Sequence, residues 1–250
     1  MRSGELVRYL DDYLLTSDFV DYPGAYNGLQ VKGKEEISRI ALCVDACKFT
    51  ISAAIEQKAD LMIVHHGLFW GWKPPITGVQ YDRLAPLIKS DTALYSSHLP
   101  LDAHPEVGNN AVLARTLGLT IVAEFFLHEG RNIGVLCDVD LDRNEFIQRV
   151  SQWLGYAPYT ANCGPERLKR IGIVTGGAGS SITVATDAGC DLFLTGEGPH
   201  YSYFDAEEQG INVVYAGHYA TETVGVKALG KHLEDQFGLE TFFIDHPTGL

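Results

Sequence analysis

The segment 39–66 of this chain reappears, without a gap, as 170–197. At this constant offset of 131 residues, Arg39-Ile40 matches Arg170-Ile171, Ile51 matches Ile182, Ala54 matches Ala185, and Asp60-Leu61 matches Asp191-Leu192. The first copy reads as strand, helix, strand. Ile40 to Val44 is apolar, Lys48 to Lys58 carries Ile51, Ala54 and Ile55 at helical spacing, and Leu61 to Val64 is a second apolar run. Connections this short between two buried strands imply a parallel βαβ unit. A further stretch repeats at an offset of 120: Tyr95-Ser96-Ser97-His98 against Tyr215-Ala216-Gly217-His218. Three residues then intervene before a carboxylate, Asp102 in one copy and Glu222 in the other, and each copy enters a helix, Asn109 to Leu117 and Val224 to Leu233. A chain that repeats a βαβ unit and the strand after it is constrained to an α/β fold of two similar halves. The expected division is 1–126 and 127–250, with the C-terminal helix free to pack on the first half.

The rest of the chain fits around these units. Leu6, Leu10 and Leu14 put residues 4–15 in an amphipathic helix, and a loop follows with Asp21-Tyr22-Pro23-Gly24 and an Asn27-Gly28 turn. Pro74-Pro75 breaks the chain before a helix from Tyr81 to Lys89. Glu124 to Phe126 and Gly134 to Cys137 read as strands, Asp142 to Leu154 as a helix, and 157–169 as an irregular connection. Asp138, Asp140 and Asp142 alternate as in a calcium loop but lack its glycine and final glutamate, so they read as a solvated turn with a helix cap at Asp142.

Bulk properties exclude several classes. An apolar content of 46% with 20% charged residues is that of a folded chain. A formal charge of −13 with no basic run disfavours nucleic-acid binding. A small anionic substrate stays compatible, because a metal can reverse the local sign. There is no signal-peptide core and no apolar run of membrane-spanning length, and Cys43, Cys137 and Cys190 sit in or beside apolar segments. The expectation is a cytoplasmic protein with reduced thiols.

The polar residues at strand ends carry the chemistry. The run Leu61-Met62-Ile63-Val64 stops at His65-His66, and the next strand stops at His98. With Asp102, His218 and Glu222 these make six candidate donors at the carboxyl ends of strands, where ligands of open α/β sheets collect. Imidazoles with carboxylates suit zinc, iron, manganese or nickel, and carboxylates can bridge two ions. Capping and hydrogen bonding near strand ends is the bland reading of any single histidine; six together favour metal.

Asn27-Gly28-Leu29-Gln30, His65-His66-Gly67-Leu68-Phe69-Trp70, His98-Leu99-Pro100-Leu101-Asp102 with Gly108-Asn109-Asn110, Thr195-Gly196-Glu197 and Gly217-His218-Tyr219-Ala220-Thr221-Glu222 together resemble the NIF-three-like dinuclear metal-centre family, whose bacterial members are often labelled GTP cyclohydrolase 1 type 2 homologues. The resemblance runs from the first helix to about residue 245, in the short form without a large central insertion. It implies two divalent ions on His65, His66, Asp102, His218 and Glu222, with His98 beside them. It also implies a metal site in the cleft between two α/β halves and a toroidal hexamer.

Other features are left open by the residues. Gly176-Gly177-Ala178-Gly179-Ser180-Ser181 reads as a tight strand-to-helix turn or as a backbone cradle for phosphate, and it is not a Walker loop. Trp70 and Trp72 read as loop packing or a subunit contact ahead of base stacking. Asn27 and Gln30 read as turn chemistry or as lining of the cleft. Glu197 and His200 follow the second-copy strand as a base or a partner to the site, or as solvated groups.

Two functions are carried forward. The first is a metal-dependent hydrolase acting through a metal-activated water, with His98 or Glu197 moving protons. The family label implies a nucleotide substrate, GTP, attacked at C8 so that the imidazole ring opens and formate leaves. The second is a non-catalytic metal-binding or regulatory ring.

Overall fold

The computed structural model describes residues 1–70 and 75–249. In chain order, the elements up to residue 107 are helix α1 (Ser3–Tyr13), strands β1 (Gly28–Val31) and β2 (Arg39–Asp45), helix α2 (Lys48–Glu56), strand β3 (Leu61–His66), helix α3 (Gly78–Ser90), strand β4 (Ala93–Ser96) and helix α4 (Leu99–Ala103). Next come helix α5 (Asn109–Thr116), strands β5 (Ile121–His128) and β6 (Arg131–Asp142), helix α6 (Arg143–Leu154), and strands β7 (Tyr159–Asn162) and β8 (Arg167–Ile173). Helix α7 (Ile182–Asp187), strand β9 (Leu192–Thr195), helix α8 (Ser202–Gln209), strand β10 (Asn212–Tyr215), helix α9 (His218–Phe237) and strand β11 (Glu240–Phe243) complete the chain.

Contacts divide these elements into two compact units, one of Met1–Val107 with Gly225–His246 and one of Gly108–Val224 with the last residues from Pro247. The first unit holds a five-stranded sheet ordered β1-β4-β3-β2-β11. Strands β11, β2, β3 and β4 run parallel, and β1 pairs antiparallel with β4. Central parallel strands are covered on both faces, which explains their unbroken apolar runs. Alternate residues supply the two faces: Ile40, Leu42, Leu61 and Ile63 pack with Leu6, Leu10 and Leu14 of α1 and with Leu229 and Leu233 of α9. Ala41, Cys43, Met62 and Val64 pack on the other side with Ile51 and Ala54 of α2.

The second unit holds a six-stranded sheet ordered β5-β6-β8-β9-β10-β7, in which β8, β9 and β10 are parallel. Its core joins Ile171, Ile173, Leu192, Leu194 and Val214 to Leu113 of α5, Leu117 at the cap of that helix, and Phe146 and Val150 of α6. The repeat is visible as topology, with β1-β4-β3-β2 in one sheet and β7-β10-β9-β8 in the other.

One matched pair shows what the repeat preserves. Asp60 Oδ2 accepts the backbone N–H groups of Ser38 (3.0 Å) and Arg39 (3.1 Å), and Asp191 Oδ2 accepts those of Lys169 (2.6 Å) and Arg170 (3.1 Å). In both halves the acid before one strand ties down its parallel neighbour, at the start of β2 and within β8. Burial alone would raise the Asp60 carboxyl; hydrogen bonds from Lys34, Ser38 and Arg39 outweigh it and hold the carboxyl below its ordinary value. A depressed carboxyl stabilises the fold above its unfolded value of about 4 and loses that contribution as pH falls through the folded value. Asp60→Asn should therefore cost about 1–3 kcal/mol at pH 7 and much less at pH 3, compared by urea unfolding at the two pH values.

The structure also departs from the sequence reading. Leu61 lies opposite Ala93, and Leu192 lies opposite Asn212. The ladders therefore relate β4 to β10 at an offset of 119, one residue short of the offset that aligns Tyr95 with Tyr215. Successive side chains alternate faces, so the two tyrosines are not equivalent: Tyr95 is fully buried and Tyr215 only half-buried. Residues 28–31, read within a turn and loop, form an edge strand, and the irregular 157–169 contains β7. Asp138 and Asp140 lie on β6 rather than in a turn, paired with Arg170 and with Arg167 and Lys169. Asp142 caps α6 by accepting from Asn144 and Glu145 N–H. The Pro74 break lies outside the described residues. Among the described residues the five cysteines are free thiols, and no helix is long and apolar enough to cross a membrane.

Candidate metal centre

In the first unit, β3 ends in His65-His66, and His98 stands between β4 and α4. One ligand atom from each of these three histidines lies within 4.8 Å of the others. Asp102, on α4, puts Oδ1 3.6 Å from His65 Nε2. His65 is fully buried and Asp102 nearly so.

Each ring is oriented from behind. His65 Nδ1 bonds the Ser97 carbonyl at 2.9 Å, His66 Nδ1 bonds Asp45 Oδ1 at 2.9 Å, and His98 Nδ1 bonds Asp21 Oδ1 at 2.8 Å. A carbonyl or carboxylate oxygen only accepts, so Nδ1 is the N–H in all three, which leaves Nε2 as the nitrogen that can offer a lone pair to a metal. Oxygen acceptors behind imidazoles are the usual device for fixing the tautomer of a metal ligand.

Asp21 does more than hold one ring. Its carboxylate also accepts Tyr22 N–H (2.6 Å), Asn27 Nδ2 (2.8 Å) and Leu99 N–H (3.1 Å), while Asn27 Oδ1 accepts His98 N–H at 2.7 Å. Burial would raise this carboxyl; the hydrogen bond and charge of His98, with Asn27 and Tyr22, outweigh it and lower it. Gln30 pins the next stretch, accepting Leu68 N–H at 2.7 Å and donating to the Tyr26 carbonyl at 2.6 Å. A Cβ at Gly67 would meet Gln30 Nε2 at 2.3 Å, so a side chain there would displace the Gln30 amide from these two bonds. Asn27 and Gln30 thus act as braces for the histidine segments. Asp21→Ala should cost about 2 kcal/mol in urea unfolding, and the His98 nitrogen-15 signals should change from Nδ1–H to a tautomer mixture.

In the second unit the same arrangement is built from different residues. His218 opens α9; its Nδ1 bonds Glu197 Oε1 at 2.7 Å, and its Nε2 lies 3.1 Å from Glu222 Oε1 one turn on. Burial alone would lower this imidazole, but Glu222 and Glu197 outweigh it and push it up to about 9. Two carboxylates around one imidazole make a place that holds positive charge.

The glycine turn explains the crowding. Gly176 has φ +71, and a Cβ on it would lie 2.3 Å from Glu222 Oε1 and 3.4 Å from His218 Nε2. Its carbonyl accepts N–H from Gly196 (2.9 Å) and Glu197 (3.0 Å). The turn makes room for the donors beside it, and α7 after it has only six residues.

The donor spacing suits a divalent ion. Two ligand atoms each about 2.1 Å from one ion, at octahedral to tetrahedral angles, lie roughly 3.0–3.4 Å apart. The 3.1 Å of His218–Glu222 and the 3.6 Å of His65–Asp102 are close to this range. The nitrogen and oxygen donor types fit zinc, iron, manganese or nickel.

Trp70 borders the histidines, its ring edge-on to His98 at 5.0 Å, and its indole N–H donates to the Gly67 carbonyl at 3.0 Å. Trp72 lies outside the described residues. His200 is exposed, edge-on to Phe204 at 5.7 Å. Asp21 and Asp45 are the residues that reading the sequence missed. The signal available was an acid in a loop and an acid at a strand end, neither spaced to any histidine.

A family model described as Duf34/NIF3 (NGG1p interacting factor 3) matches residues 1–249. The chain belongs to this family. Among curated relatives, the GTP cyclohydrolase 1 type 2 homolog of Deinococcus radiodurans is 43% identical over 248 residues, covering 98% of this chain and 94% of that protein. Two solved structures cover 100% of both chains. Protein ybgI is 37% identical with a TM-score of 0.93, and TTHA1606 from Thermus thermophilus is 43% identical with a TM-score of 0.90. Membership accounts for the α/β architecture that the repeat implies.

Proposed function

We propose that this chain is a dinuclear metal-dependent hydrolase, with two divalent ions held by His65, His66 and Asp102 of the first unit and His218 and Glu222 of the second. The observation that carries this reading is that each of His65, His66, His98 and His218 has Nδ1 engaged by an oxygen acceptor. Four imidazoles oriented through Nδ1, with carboxylates near Nε2 of two of them, are the preparation a metal site needs.

When bound, such ions polarise a substrate and lower the pKa of water. His98, held by Asp21 and Asn27, and Glu197, bonded to His218, are the groups in reach to move protons. The name of the curated relatives brings GTP to this chain as the candidate substrate. Water opening the imidazole ring at C8 and a second water releasing that carbon as formate balance the reaction. The assembly proposed with it is a toroidal hexamer in the cytoplasm, acting on a small-molecule substrate, with no nucleic-acid or membrane partner.

The test is metal analysis of protein purified without an affinity tag, then formate assayed after incubation with GTP. Two ions per chain with formate release, both reduced in His66→Ala, support the hydrolase. Two ions with no product from GTP or other nucleotides would leave the metal-binding or regulatory ring.

A further inference from the structure

The second unit contains a cavity of about 630 Å³ lined by Tyr156, Tyr159, Tyr203, Tyr215, Glu197 and His200, among others. Its size falls in the range of small-molecule sites. One wall is rigid. Tyr215 is fixed by its hydroxyl, 2.6 Å from Ser202 Oγ, which donates in turn to the Pro199 carbonyl at 2.6 Å. A Cβ at Gly198 would lie 2.7 Å from the Tyr215 ring and one at Gly179 would lie 2.9 Å from it, so both glycines let the ring sit flush. Tyr159 faces Tyr215 with ring centroids 5.7 Å apart, and Tyr156 and Tyr159 are more than half exposed. Exposed tyrosines gathered around a fixed one leave aromatic faces for a ligand.

The charge pattern narrows the ligand. Among the described lining residues none is Lys or Arg, and Glu197 is the one carboxylate. A phosphate finds no lysine or arginine here, whereas a planar ring finds faces to stack on and an acceptor for its N–H groups. Glu197 also bonds His218, so the cavity opens beside the second unit's metal-ligand candidates.

We infer that this cavity seats a planar heteroaromatic ring bearing N–H donors, of the purine class, and that the phosphates of such a ligand lie outside it. The inference deepens the hydrolase reading by naming the ring end of its substrate, and it rests on that reading only for what happens to the ring after binding.

Guanosine, which has no phosphate, is the probe, titrated calorimetrically against full-length protein with ribose 5-phosphate as comparison. Guanosine is expected to bind chelator-treated and metal-loaded protein alike, and ribose 5-phosphate to bind the chelator-treated protein far more weakly. Tyr159→Ala should weaken guanosine binding about fivefold or more, Tyr159→Phe should restore it, and Tyr156→Ala should follow Tyr159→Ala. His66→Ala should lose metal and keep guanosine affinity. Absence of guanosine binding, equal binding of ribose 5-phosphate to chelator-treated protein, or unchanged affinity in both alanine variants overturns the inference. Formate release judges the hydrolase separately, since ring binding survives its failure.

Discussion

Replacing Gly176 by alanine is expected to cost about 1–3 kcal/mol of stability and to remove metal bound through His218 and Glu222. Two effects combine. The residue has φ +71, where an L side chain is strained, and its Cβ would lie 2.3 Å from Glu222 Oε1. Glu222 is only 3% exposed, so its carboxylate has no open solvent to retreat into. Gly177→Ala is the matched control: its backbone has φ −91, and its Cβ would meet His218 Cε1 at an ordinary 3.7 Å. Urea unfolding with chelator present reads the strain, and metal content reads the displaced carboxylate. Full metal content in Gly176→Ala would show that Glu222 is not a ligand.

The same position shows how the two halves diverged. At the offset of 131, Gly176 stands where the first half has Asp45, and Glu197 stands where it has His66. In the first half the acid at the end of β2 holds the imidazole at the end of β3. In the second half the acid after β9 holds an imidazole on α9, and the place of Asp45 is vacated for Glu222. An acid behind an imidazole is kept while its position in the unit moves.

This explains what was legible in the residues. Strands β2, β3, β8 and β9 announced themselves because strands buried on both faces need continuous apolar runs. The four-residue edge strands β1, β7 and β11 carry mixed patterns, since part of each is exposed or half-buried. The candidate donors were readable as strand-end histidines, but their braces were not. Asp21 is 77 residues from His98 and reaches it through a loop whose path no periodicity records. The equal His-x3-carboxylate spacing also overstated the symmetry. His98 precedes α4 while His218 is the first residue of α9, as the one-residue difference in ladder register requires.

His65→Ala and His66→Ala should both abolish metal binding through the first unit, yet differ sharply in the metal-free protein. His65 is fully buried, and its Nδ1–H is the donor to the Ser97 carbonyl. Truncation leaves a void and a buried carbonyl without that donor, about 2–4 kcal/mol together. The His66 side chain is 20% exposed, and its partner Asp45 is 39% exposed, so solvent replaces the lost bond and the cost should stay under about 1 kcal/mol. Adding zinc or manganese at about a hundredfold above its Kd should stabilise the unaltered protein by about 2.7 kcal/mol per site, an increment reduced in both variants. If His66→Ala kept the whole increment, His66 would be no ligand and His98, within 4.8 Å of the same donors, would take its place. If both variants were equally unstable in chelator, the Ser97 bond would not be what separates a structural imidazole from an exchangeable one.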